Sequence, residues 1–148
     1  MLKILGFLFI TAWYPSPQWH GNMQEAMQIA QKEHRCILLN FSGSDWCGPC
    51  ILLRKEVFDA PAFSAFADTA LVLVNADFPR MKKNQLSKDQ QQLNEKLADR
   101  YNPQGKFPLT ILLDEKGKII QQWEGGLSIT SDAFSEEVKK LIKHKQQQ

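Results

Sequence analysis

Two of the chain's three cysteines stand as Cys47-Gly48-Pro49-Cys50, directly after Phe41-Ser42-Gly43-Ser44-Asp45-Trp46. An apolar run, Cys36-Ile37-Leu38-Leu39-Asn40-Phe41, leads into them, and a helical pattern, Ile51 to Phe58, leads out. A Cys-x-x-Cys between a strand and a helix reads as a redox dithiol. The spacing lets two sulfurs approach within bonding distance at the start of a helix. There the Cys47 sulfur would face unpaired backbone N–H groups and the positive end of the helix dipole. Both favour a thiolate, so the pKa falls, and the thiolate is the form that attacks a disulfide. Cys50, about one turn further on, is expected to be more covered and to act second. Pro49 lacks an N–H that the first helical turn does not need. Gly48 leaves room for an incoming chain, and Trp46 is a large cover beside the nucleophile.

The elements that must hold this pair can be read on either side of it. Residues 36–42 are apolar at nearly every position, as a central parallel strand should be. Leu71 to Asp77 is a second strand of the same type. Before them, Asn22 offers an N-cap with Glu25 three residues on, followed by Met23, Ala26, Met27 and Ala30 at helical spacing. The active-site helix is expected from Pro49 to about Phe58, with a break at Ala60-Pro61 and a short helical piece over 62–67. Residues 81–92 read as a polar surface loop running into a helix whose inner face is Leu93, Leu97 and Tyr101. Phe107 to Leu113 is a strand opening with proline. Asp114 to Lys118 is a hairpin turn, and Ile119 to Trp123 is the returning strand. Ser131 or Thr130 caps a last helix with Phe134, Val138, Leu141 and Ile142 on one face.

The chain has 148 residues, 43% of them hydrophobic, and a formal charge of +2. That size fits one domain. Scattered basic residues and a small net charge give no strong pull toward nucleic acid or an anionic membrane. One motif pair in three cysteines is no disulfide scaffold, and Cys36 reads as a buried, inert thiol. At the N-terminus, Lys3 precedes a short apolar run from Ile4 to Ile10, and Ala12 could end it. This is the layout of a secretory signal peptide, although Ile10 stands where a small residue is usual. The alternatives are a buried N-terminal strand or an uncleaved anchor. With Pro15-Ser16-Pro17 as linker, the expected division is residues 1–20 for targeting and linker, and 21–148 for the domain. Export to the periplasm or beyond follows from that division.

Trp46-Cys47-Gly48-Pro49-Cys50 resembles the active-site motif of the thioredoxin family. The longer run from Asn40 to Cys47 resembles the secreted, thioredoxin-like branch of bacterial envelopes. The resemblance covers roughly residues 22 to 144. It implies an α/β thioredoxin fold: a mixed central sheet of parallel strands plus a C-terminal antiparallel hairpin, flanked by helices. It also implies that Phe107-Pro108 is the family's cis-proline element, with Pro108 shaping a groove beside Cys47 and Phe107 pairing with substrate backbone. The family's buried aspartate falls at Asn40 here, and its matching lysine falls at Leu73. Asparagine takes no proton near neutral pH, so Asp45 or a bound water is set in its place as proton acceptor. The competing role for Asp45 is to cap or order the loop.

The function implied is a thiol–disulfide oxidoreductase acting as a monomer on disulfide-containing protein substrates, reset by an envelope electron donor. It needs no cofactor beyond the Cys47–Cys50 disulfide and no metal. Gly48-Pro49 matches the reducing members of the family. Disulfide isomerase and cytochrome c maturation factor are alternatives, the latter through a small insertion at 81–92. Outside enzymes, the alternative is a zinc-binding or redox-inert interaction module. A second cysteine pair for zinc is missing, and His20, His34 and His144 lie in unrelated segments.

Overall fold

The computed structural model describes residues 17–147. The targeting segment proposed for the N-terminus therefore falls, but for the last residues of its linker, outside the described residues. The sheet starts from two strands with little polar content. Strand β2 (Cys36–Ser42) is buried along its whole length, and β3 (Leu71–Asp77) is buried over most of its own. They pair in parallel, with Leu38 opposite Leu73 and Asn40 opposite Asn75. Strand β4 (Leu109–Leu113) lies antiparallel on the other side of β2, and β5 (Ile119–Glu124) completes the hairpin. A two-residue strand, β1 (Trp19–His20), adds to the far side of β3. The five-stranded order is β1-β3-β2-β4-β5. Trp19–His20, which the sequence assigns to the linker, is thus part of the sheet. Two residues are too few to show any periodicity, and only the exposed edge of β3 draws them into line.

Because side chains alternate across a strand, β2 sorts its residues into two cores. Ile37, Leu39 and Phe41 face α1 (Met23–Glu33) and α4 (Lys88–Tyr101), meeting Ala26, Ala30, Leu97 and Tyr101. Cys36 and Leu38 face the opposite layer, made by α2 (Gly48–Leu53), α3 (Pro61–Ala70) and α5 (Ser131–Gln146). Phe58, Phe63 and Phe134 fill that layer and are fully buried. Asn40 and Ser42 share the parity of Leu38, so they point to the α2 side at the end of β2. That places polar atoms under the active-site helix.

Capping follows the local sequence. The Asn22 side chain accepts from the N–H groups of Gln24 and Glu25, and Thr130 caps α5 by accepting from Ala133. Helix α2 runs straight into a π-helical turn, Arg54–Phe58, closed by the Asp59 N–H donating to the Arg54 carbonyl at 2.8 Å. Ser131 Oγ donates to the Val57 carbonyl at 3.0 Å, tying the start of α5 to the back of that turn. Two expected bounds move. The helix expected over 62–67 runs Pro61–Ala70, and the strand expected from Phe107 begins at Leu109. Phe107-Pro108 lies before β4 as a cis peptide.

Candidate active site

Cys47 is the N-cap of α2, and Cys50 sits in its first turn, with Gly48 and Pro49 between them. The two cysteines are joined as a disulfide, Cα atoms 5.2 Å apart. The Cys50 N–H donates to the Cys47 sulfur at 3.3 Å. Both residues are well covered, Cys47 at 5% and Cys50 at 4% exposure. The greater cover expected for Cys50 is therefore slight in the disulfide state. Gly48, exposed between them, has open space where a side chain would stand.

The loop ahead of Cys47 is held by residues far away in sequence. Trp46 lays its indole against Gly43, so closely that a methyl on Gly43 would collide with Cε2 and Nε1 of the ring. The indole N–H donates to the Phe78 carbonyl at 2.7 Å. The Arg80 guanidinium covers the ring at 3.6 Å, a cation–π contact. Phe107 meets Trp46 edge-on at 5.4 Å and Phe78 at 5.5 Å. This aromatic contact brings the cis-proline segment to the dithiol loop. The Pro108 carbonyl in turn accepts from the Gly125 N–H at 2.9 Å, and Gly126 passes beside the Pro49 ring.

Asp45 is engaged by the segment that follows β3. Its carboxylate accepts from the N–H groups of Arg80 and Met81 and from the Asn84 amide, each at 2.9 Å. These donors, the Arg80 N–H foremost, hold its carboxyl below the ordinary aspartate range. This is the loop-ordering position. Asn40 and Asn75 face each other across β2 and β3, the Asn40 amide donating to Asn75 Oδ1 at 3.1 Å. Leu73, two pairs further from the helix, is buried in the core beside Leu38.

Sequence reasoning did not find Gly43, Asn75, Asp77, Phe78 or Arg80. Asp77 accepts from Ser44 N–H at 2.8 Å and from Ser44 Oγ at 2.6 Å, clasping the loop to the end of β3. The one available signal was position: all but Gly43 follow or end a buried parallel strand, where loops of α/β folds gather at the sheet's carboxyl edge. Cys36 is buried, and its thiol is pushed up, chiefly by loss of solvent. Among the described residues there is no cluster of three or more metal-ligating side chains.

A disulfide at the mouth of a helix, on the carboxyl edge of a mixed sheet and beside a cis-proline loop, defines a thioredoxin fold with a redox-type Cys-x-x-Cys. The chain belongs to the family described as thioredoxin-like domain, whose profile matches residues 23–142. It is 36% identical over 101 residues to the disulfide bond reductase DsbH of Chlamydia pneumoniae, a match taking in 68% of this chain and 58% of that one. It is 30% identical over 130 residues to the thioredoxin-related protein DsbJ of the same organism, covering 80% of this chain and 36% of the relative. The chain thus spans less than two thirds of either relative's length. A solved structure titled DsbH oxidoreductase superposes with a TM-score of 0.80 at 29% identity, over 97% of this chain and 95% of the other.

Proposed function

We propose that the chain is a thiol–disulfide oxidoreductase that reduces protein disulfides. The observation that carries this reading is the Cys47–Cys50 disulfide capping α2, with an N–H aimed at the Cys47 sulfur and open space over Gly48. After reduction, that N–H and the helix start favour a thiolate on Cys47. The thiolate attacks a substrate disulfide; a Cys47–substrate S–S bond forms and the first substrate thiolate leaves. Cys50 then attacks the Cys47 sulfur, restoring the intramolecular disulfide and releasing the second substrate thiolate. A dithiol donor resets the pair. Trp46, Phe107 and Pro108 form the wall on which substrate backbone lies, with Phe107 offering N–H and C=O for strand-like pairing. Asp45 orders the wall from behind.

The reducing direction is supported by Gly48-Pro49 and by the relative named a disulfide bond reductase. Export rests on the pattern of residues 1–14. The test is insulin reduction driven by dithiothreitol. Wild type should precipitate insulin chains well above background, Cys47→Ser should fall to background, and Cys50→Ser should accumulate a mixed disulfide. Wild-type turnover no faster than dithiothreitol alone would overturn the assignment.

A further inference from the structure

The segment that follows β3 carries Arg80, Lys82 and Lys83, all exposed, with no acidic residue between Asp77 and Asp89. It is held against the dithiol loop along its length. The Phe78 carbonyl accepts from the Trp46 indole, and the Asp45 carboxylate accepts from the Arg80 and Met81 N–H groups and the Asn84 amide. The Gln85 amide donates to the Pro79 carbonyl at 2.9 Å, and Lys82–Asn84 form a 3₁₀ turn inside that frame. An ordered backbone therefore presents these cations beside the residue that precedes Cys47. A recognition element ordered in advance loses little freedom on binding.

Arg80 touches the site itself, its guanidinium lying 3.6 Å from the centre of the Trp46 ring. A guanidinium stacked by one face keeps its N–H edge, a fork that matches a carboxylate. Among the described residues, no ion pair involves Arg80, Lys82 or Lys83. The nearby acids hold the loop instead, Asp45 as above and Asp77 by accepting from the Ser44 N–H and Oγ. Their charges offset much of the segment's long-range field, so recognition here works by contact more than by steering. The other borders of the dithiol offer no free charge. Lys106, next to Phe107, is paired with Glu124 at 2.5 Å. Along α2 the exposed residues are Gly48, Pro49, Ile51 and Leu52, and beyond it Arg54 is paired with Asp59. We propose that Arg80, supported by Lys82 and Lys83, makes this site selective for disulfides flanked by aspartate or glutamate in the substrate chain. The proposal rests on the reductase reading and names its substrate class. Arg80 acts as a specificity-determining residue and takes no part in the exchange of sulfur bonds.

The test uses one peptide with an internal disulfide, its flanking residues glutamate, glutamine or lysine. The protein is reduced, freed of dithiothreitol and mixed with each peptide. Peptide thiols then appear as Cys47 and Cys50 are oxidised, and their rate gives a second-order constant. Wild type should favour the glutamate form over the lysine form by about fivefold or more at low salt. That preference should shrink in about 0.5 M salt. Arg80→Gln keeps the backbone N–H on Asp45 and should cut the preference to about half or less, while Arg80→Lys, a point charge without the fork, keeps only part of it. Because the reading is a ratio within one protein, a general loss from a disturbed Trp46 cancels. A wild-type preference below about twofold, or one that Arg80→Gln leaves intact, overturns the proposal. Binding is scored apart from turnover, by titrating the Trp46 indole N–H signal of the oxidised chain with the same peptides carrying S-methylated cysteines. Tighter binding of the glutamate form without reduction of any peptide removes the reductase reading and leaves the recognition standing. Reduction of all the peptides at equal rates does the reverse.

Discussion

The loop before Cys47 is built on one missing atom. Gly43 is buried under the indole of Trp46, so Gly43→Ala must displace the ring or the strand end. Displacing the ring strains its hydrogen bond to Phe78 and its packing on Phe107. Overpacking of this kind costs about 1–3 kcal/mol, read as a lower urea midpoint. Gly48→Ala, entering open space, should stay within about 0.5 kcal/mol of wild type. Asp45 makes a second prediction at this scale. Its folded pKa is lowered by the Arg80 N–H and its companions, so the stability it contributes is present above the ordinary aspartate value of about 3.9. That contribution is lost as pH falls through the lowered folded value. The Arg80 and Met81 amides should therefore stay protected from hydrogen exchange at neutral and mildly acidic pH and lose protection only below about pH 4. Asp45→Asn should expose them at neutral pH without moving the midpoint of the rate–pH profile. A moved midpoint would make Asp45 the proton acceptor after all.

At the scale of elements, the helices and strands with a strong period were legible, and those defined by distant partners were not. Strands β2 and β3 match the apolar runs because burial on both faces leaves a continuous signal. The cap at Asn22 was readable, and that at Thr130 to within one residue, because a cap is a local hydrogen bond. Strand β1 and the ties from Asp45 and Trp46 to residues 78–84 were not. Those ties join positions more than thirty apart, as in the 35-residue separation from Asp45 to Arg80, and no local pattern encodes such a pairing. The C-cap of α1 was also hidden: His34 adopts φ 54°, in the left-handed region. There a Cβ crowds the carbonyl, at a cost of roughly 1 kcal/mol or more that glycine avoids. His34→Gly should therefore raise the unfolding free energy by about 1 kcal/mol, seen as a higher melting temperature with activity unchanged. A fall would show that the imidazole holds a stabilising contact worth more than the relieved backbone.

Across the whole molecule, the reactive pair stands apart from what holds the fold together. The two core layers on either side of the sheet contain neither Cys47 nor Cys50. They are sealed by β2 and by helices of which α2 alone is capped by the pair, and the others are tied elsewhere, as by Ser131 on Val57. The disulfide closes a ring over a sequence separation of only 3. By the chain-entropy relation, so short a loop constrains the unfolded state by about 2 kcal/mol. That is a minor part of the roughly 5–15 kcal/mol typical of a domain. Reduction should therefore lower the melting temperature by several degrees, leave a single cooperative transition, and leave the far-ultraviolet circular dichroism unchanged. An oxidoreductase has to satisfy that condition, since it must remain folded in both redox states to meet donor and substrate in turn. Differential scanning calorimetry of the oxidised and reduced chains measures it directly. Loss of the cooperative transition on reduction would mean that the dithiol is a structural staple, and a molecule stapled in that way could not cycle.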